Sequence, residues 1–245
     1  MKIVKKTIKK LTHEFKDQGE IQAQLNSKNN VKHYYRQVKL IKKFIKPIKL
    51  LDIGCGHGIP TIFLKNEFKK TTINAIELRK SPVWNRINEL YKINFKKFDG
   101  KRIPFKNKTF DTIVMFGVLE HVTEDKIITE SYFLNEVKRV LKPGGYIFIF
   151  NLPNKYSYKE VMAKYTSHWY HERRFKGREI KQILNDKGLV VKYLRGFGLV
   201  PGGCGPLRSL LPVLNLFSFI TDAEEKLPEF PFCEYFDVVA QKTID

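Results

Sequence analysis

The sequence predicts an α/β fold built on a doubly wound, mostly parallel sheet of seven strands. Three observations predict it. Short apolar runs alternate with amphipathic helical patterns between residues 47 and 197. The first apolar run opens into a glycine-rich turn, Gly54-Cys55-Gly56-His57-Gly58. The chain has 245 residues, 42% of them hydrophobic, which suits one α/β domain with added helices.

The elements follow in order. Val4, Ile8, Leu11 and Phe15 lie 4, 3 and 4 residues apart, one face of a helix with lysines on its other faces. Val31, Tyr34, Tyr35, Val38, Ile41 and Ile45 give a second helix, ending near Pro47. Strands are predicted over Lys49–Ile53, Thr72–Leu78, Asn94–Phe98, Phe110–Phe116, Tyr146–Asn151, Leu189–Phe197 and Tyr235–Lys242. Helices between them are predicted over Pro60–Phe68, Pro82–Lys92, Glu124–Leu141 (stopped by Pro143-Gly144-Gly145) and Lys176–Lys187. The organisation expected is one domain: a helical cap over 1–46, a core over 47–197, an apolar insertion over 198–232, and the last strand within 233–245.

Charge and cysteine content bound the function. Lys and Arg number 45 against 25 Asp and Glu, a formal charge of +20. Residues 1–49 carry +11 of it. Such a field favours anionic partners: nucleic acid, anionic headgroups or a phosphorylated substrate. Yet only ten of the basic residues are Arg, the better phosphate fork, and a Lys-, Asn- and Ile-rich chain is equally read as the product of an AT-rich genome. Cys55, Cys204 and Cys233 form no C-x-x-C pair, so neither a disulfide framework nor a metal is expected. No secretory leader and no run of about 18 apolar residues is present, so a cytoplasmic location is expected.

The strongest motif is LLDIGCGHGIPT, residues 50–61. Its glycines let backbone approach a ligand where a Cβ would intrude. Ile59 replaces the third glycine of a dinucleotide fingerprint, and the P-loop lysine is missing, so a pyrophosphate ligand is disfavoured. With Glu77 closing INAIEL, Asp99 in KKFDGKRIPF, TFDTIVMFGVLEHV and VLKPGGYIFI, residues 47–197 resemble the class I S-adenosylmethionine-dependent methyltransferases. The resemblance implies a Rossmann-like methyltransferase fold and S-adenosyl-L-methionine as cofactor. It places the methionine part on Gly54, Cys55 and Gly56, the ribose hydroxyls on Glu77 beside Leu78, and the adenine amino group near Asp99 and Gly100. Phe116 and Gly117 would pass beside cofactor and substrate. Asp52 is either a ligand or a former of the turn.

The acceptor side is read from two segments. His121 follows the fourth strand, at the carboxyl edge where ligands bind. It either lines the acceptor pocket and takes a proton, or orients its loop. His168, Tyr170, His171, Arg173 and Arg174 follow the fifth strand; His171 is the second catalytic candidate, and the arginines suit a carboxylate or phosphate. Tyr34, Tyr35 or Arg36 would reach the cofactor's carboxylate if the second helix closes that site. The apolar run from Leu207 to Ile220 is expected to be a lid over an apolar acceptor, a membrane-docking surface or simple packing.

The expected activity is methyl transfer to a small-molecule, sugar or lipid-linked acceptor, at oxygen. The loop FGVLEH and the run Asn151-Leu152-Pro153-Asn154 lack the Asn-Pro-Pro-Tyr pattern that similar enzymes use on nucleobase amines. Two alternatives stand beside it: RNA methylation, suggested by the charge, and a cofactor-binding partner subunit without turnover. Expected partners are thus a small-molecule or lipid-like acceptor, an anionic one included, and peripheral contact with a membrane, with nucleic acid second to these.

Overall fold

The computed structural model describes residues 8, 11–17, 19–124, 128–158, 171–199, 211–217, 219 and 231–244. Seven strands form one sheet: β1 Lys49–Ile53, β2 Thr72–Glu77, β3 Asn94–Lys97, β4 Phe110–Phe116, β5 Leu141–Pro153, β6 Leu189–Phe197 and β7 Tyr235–Lys242. Their order is β3-β2-β1-β4-β5-β7-β6. The first five strands pair in parallel, and β7 runs antiparallel between β5 and β6. This is the mostly parallel, doubly wound sheet that the alternation of elements predicts.

Side chains of successive strand residues point to opposite faces, and each face is covered. On β5, Phe148 and Phe150 enter one core cluster while Ile147 and Ile149 enter the other. The first cluster is closed by Leu11 and Phe15, by α1 (Gly19–Asn26) and α2 (Lys28–Phe44), by α3 (Ile59–Glu67) and by α4 (Trp84–Tyr91). The second is closed by α5 (Glu130–Val140) and α6 (Gly177–Asp186). A short helix, α7, spans Leu211–Leu216 and lies against α2. Among the described residues, no helix is long and apolar enough to cross a membrane.

Three elements depart from expectation. Residues 19–26 form a helix of their own, set off from α2 by Ser27, whose hydroxyl accepts from the Asn30 amide and caps α2. The helix expected from Glu124 starts instead at Glu130, where Thr129 caps it by accepting from the Tyr132 amide. That helix also ends before its expected stop. Leu141 is already extended and pairs with Phe110, so Pro143-Gly144-Gly145 lies within β5, beside a register shift between Phe110 and Thr112.

Arg36 is placed by this packing and not by a ligand. Its Nη2 donates to Asp237 Oδ2 at 2.8 Å, and its guanidinium lies 3.5 Å from the centre of the Phe197 ring. Gln37 donates to Asn151 Oδ1 at 2.8 Å and Asp237 Oδ1 at 3.4 Å. His33 meets both Arg36 and the Tyr235 hydroxyl, and burial beside Arg36 lowers its pKa well below the usual imidazole value. These bonds tie α2 to the start of β7 and the end of β5. Arg36 is therefore spent on the antiparallel strand, while Tyr34 packs on Phe63 of α3, 5.6 Å between ring centres.

Asp237→Ala should strand a buried guanidinium and cost about 3–5 kcal/mol of folding stability, read from the midpoint of urea unfolding.

Candidate active site

The carboxyl ends of β1 and β4 carry the site. After β1 the chain turns through Gly54, whose amide donates to Ile76 O at 2.8 Å. Gly54 has φ +72°, and a Cβ there would lie 2.4 Å from Val118 Cγ2. Only glycine permits that backbone and that contact together. The Trp84 indole donates to Gly56 O at 2.9 Å and steadies the far side of the turn. A Cβ added to Gly56 would meet nothing within 4 Å, so the turn leaves open space at its apex.

Beside this turn is a cavity of about 200 Å³. Glu77, Leu78, Asp99 and Gly100 line one side, and Gly54, Gly117, Val118 and His121 another. Phe98, Val122, Ile128 and Phe133 supply apolar walls. The Glu77 carboxylate accepts from the Gly56 amide at 3.0 Å and the Leu78 amide at 2.6 Å. Asp99 accepts from the amides of Lys101 and Arg102, and those bonds hold its carboxyl below the usual range. Two carboxylates at the rim of a partly apolar slot fit a ribose and an adenine. A slot of this size takes the nucleoside part, and the open apex at Gly56 leaves room for the rest of a larger ligand.

The other expected cofactor residues play supporting parts. Asp52 is fully buried and accepts from Thr61 Oγ1 at 2.5 Å; its other oxygen has no partner. Burial pushes its pKa up to about 7. It braces the glycine turn from below and does not line the cavity. The Cys55 thiol is buried, and burial raises its pKa far above the ordinary thiol value, so it is no nucleophile at neutral pH. Phe116 packs on Phe150, 5.0 Å between ring centres.

Beyond Gly117 the chain forms a single 3-10 turn, Leu119–His121, anchored by the fully buried Leu119. His121 Nδ1 lies 2.6 Å from Glu124 Oε1, and its Nε2 lies 3.8 Å from Glu120 Oε1. His171 arrives from the other side. A bridge between Asn154 and Phe175 pins its segment beside the end of β5. Its Nε2 lies 3.9 Å from the same Glu120 oxygen, and the two imidazole rings are 5.4 Å apart. The structure thus brings together the two histidines, 50 residues apart, over one carboxylate that the sequence analysis did not single out. Glu120 is 2% exposed, its Oε2 has no partner, and burial pushes its pKa up to about 7. Its signal was present in VLEHV, where an acid between an apolar residue and a histidine has no amphipathic reason to stand.

Arg173 is engaged by Glu179 at 2.7 Å and Glu130 at 3.1 Å and lies 4.0 Å from the Phe175 ring centre. An anionic substrate group would have to displace a carboxylate there. Arg174 is half-buried. His168 and Tyr170 lie outside the described residues, as does most of the 198–232 insertion. A wider cleft of about 620 Å³ lies at the β6 edge with Arg178, Lys181 and Lys192 on its rim. Among the described residues that line it there is no carboxylate or imidazole.

The family profile described as "Methyltransferase domain" matches residues 51–149, the stretch from β1 through β5. Residues 51–149 are thus a methyltransferase domain, of the class I S-adenosylmethionine-dependent kind. The chain is an enzyme of that class, with S-adenosylmethionine as its cofactor. The chain is 25% identical over 205 residues to a ubiquinone biosynthesis O-methyltransferase of Rickettsia typhi, covering 78% of this chain and 80% of that one. It is 28% identical over 115 residues to a fatty-acid O-methyltransferase of Mycolicibacterium smegmatis, covering 46% and 40%. Its fold matches the 1,6-didemethyltoxoflavin-N1-methyltransferase of Burkholderia thailandensis with TM-score 0.58 at 15% identity, covering 86% and 78%.

Two predictions follow from this methyltransferase's geometry. Glu77→Ala should weaken S-adenosylhomocysteine binding by roughly 10–100-fold in calorimetry, through loss of a charged acceptor and of the Gly56 contact. Asp52 supplies a pH test. Its folded-state pKa lies above the unfolded value, so the stability it contributes is complete below about pH 4 and lost as pH rises through about 7. Asp52→Asn, which can still accept from Thr61, should therefore melt above the parent at about pH 8, the gap closing toward about pH 4.

Proposed function

We propose that the enzyme methylates a hydroxyl oxygen on a small apolar or lipid-linked acceptor. The observation that carries this is the convergence of His121 and His171 over Glu120 at the inner end of the cofactor cavity. A hydroxyl is a poor nucleophile until its proton leaves, so an oxygen acceptor calls for polar groups at that spot. The likeness to O-methyltransferases acting on ubiquinone precursors and fatty acids supports the same reading.

S-adenosylmethionine, held by Glu77, Asp99 and the glycine turn, would supply an electrophilic methyl group to the acceptor oxygen, the S–C bonding pair staying with sulfur. The residues of this chain hold and exclude. Glu77 and Asp99 take the ribose hydroxyls and the adenine amino group, and the turn at Gly54, Cys55 and Gly56 takes the amino-acid tail. Leu78 and Gly100 flank the nucleoside, and Phe116 and Gly117 border the line of transfer. Glu120, His121 and His171 would hold the acceptor hydroxyl, and the cluster would take its proton and pass it to bulk water. Alignment contributes most of the rate, because the reaction is a simple displacement.

The apolar character of the acceptor is supported by the late part of the chain. Val213, Leu216, Phe217 and Phe219 are exposed around α7, which lies against α2. Those exposed side chains of 211–219 are proposed as the surface that receives an apolar acceptor.

The test is transfer from isotopically labelled S-adenosylmethionine into four pools: prenylated phenols, fatty acids, sugar nucleotides and total RNA. Label is expected in a phenol or fatty-acid oxygen. Label found only in RNA would overturn this reading in favour of the one that the +20 charge suggests.

A further inference from the structure

We propose that Glu120, His121 and His171 form a binding site for a divalent transition-metal ion of the zinc class. One ligand atom from each residue lies within 4.8 Å of the other two. Glu120 Oε1 is the hub, 3.8 Å from His121 Nε2 and 3.9 Å from His171 Nε2. Nitrogen and oxygen ligands of a tetrahedral zinc ion stand about 3.4 Å apart. The two contacts to Glu120 must therefore shorten by about half an ångström each, and the two histidine nitrogens, which lie within 4.8 Å, by up to about 1.4 Å.

Two further observations favour an ion over a mere contact between side chains. Glu120 is 2% exposed, and its Oε2 has no hydrogen-bond partner. A carboxylate is costly in such a place unless a positive charge or a donor compensates it. His121 Nδ1 is engaged by the Glu124 carboxylate at 2.6 Å, which turns Nε2 toward Glu120. A carboxylate on the distal ring nitrogen is what fixes the tautomer and orientation of a ligating histidine.

Two imidazoles and one carboxylate leave a fourth position open, as in catalytic and not structural zinc sites. Here it would face the acceptor side of the cavity that His121 lines. An oxygen in that position loses its proton more readily, and the proton passes to bulk water. This part of the inference rests on the oxygen-transfer reading above; the binding of the ion does not. Cysteine spacing alone pointed away from a metal, because the ligands are histidines brought together by the fold.

The test uses the full chain, stripped with a chelator and titrated with Co²⁺ and Zn²⁺ in the absence of any acceptor. The expected result is one ion per chain, the visible absorption of four- or five-coordinate Co²⁺, and its displacement by Zn²⁺. Glu120→Gln and His171→Ala should each weaken binding at least a hundredfold while S-adenosylhomocysteine affinity stays at the parent value, which shows the fold intact. No saturable binding, or binding equal in parent and variants, overturns the site. In the labelled-transfer assay, chelation should lower oxygen transfer and Zn²⁺ restore it. Full transfer by the stripped enzyme would overturn the metal's role and leave the imidazoles acting directly. Ion binding without oxygen transfer in any pool would sustain the site and overturn the oxygen-transfer reading instead.

Discussion

A side-chain carbon on Gly54 would lie 2.4 Å from Val118 Cγ2, so the loops after β1 and β4 can meet only because residue 54 is glycine. Much of the site hangs on that approach. The glycine turn leaves β1 with its amides at positions 54 and 55 on Ile76 O and the amide of Gly56 on Glu77, which couples it to β2. Val118 leads directly into the turn that holds Glu120 and His121. One close approach therefore sets the distance between the cofactor cavity and the imidazole cluster. Displacement chemistry depends on such spacing, because an acceptor misplaced by an ångström loses the alignment that contributes most of the rate.

The other constraint is polar satisfaction at the same sheet edge. Inserting β7 antiparallel between β5 and β6 brings its first residues to the end where the parallel strands finish. Asp237 is thereby buried near the site and must be neutralised. Arg36 and Gln37 of α2 do so, and Asn151, at φ +59°, offers its amide to the same carboxylate. A buried ion pair adds little net stability over an apolar pair of the same shape, but it penalises every arrangement that breaks it. Its effect is to fix where α2 sits, and with it Tyr34 and the neighbouring α7.

The strands were legible because their code is local. Phe110–Phe116, Leu189–Phe197 and Tyr235–Lys242 match their apolar runs to the residue, and the glycine turn falls where the motif puts it. The helix between β4 and β5, expected from Glu124 to Leu141, ends within a residue of that, at Val140, but starts six residues later, where the cap at Thr129 decides it. Arg36 was legible as an important residue but not as a core one. Its partner lies 201 residues away, and no periodicity announces a pairing of that kind. Glu120 escaped for a similar reason: its meaning comes from His171, which only the fold brings near.

This division has a physical basis in how the site is assembled. The residues around the cavity run from Ile53 to Phe133, inside the stretch that matches the family profile. Every member must meet one cofactor, so that stretch answers to a single ligand and its motifs can be read. The proposed acceptor side draws instead on α2, on the segment at His171 and on the region of α7, three pieces distant in sequence. Two of them, His171 and α7, lie beyond residue 149, where the profile ends. Glu120 and His121 sit on the shared side of that border and His171 on the private side. On the proposed reading, the cluster is where the cofactor site, inside the matched stretch, meets the acceptor site that this chain builds from outside it.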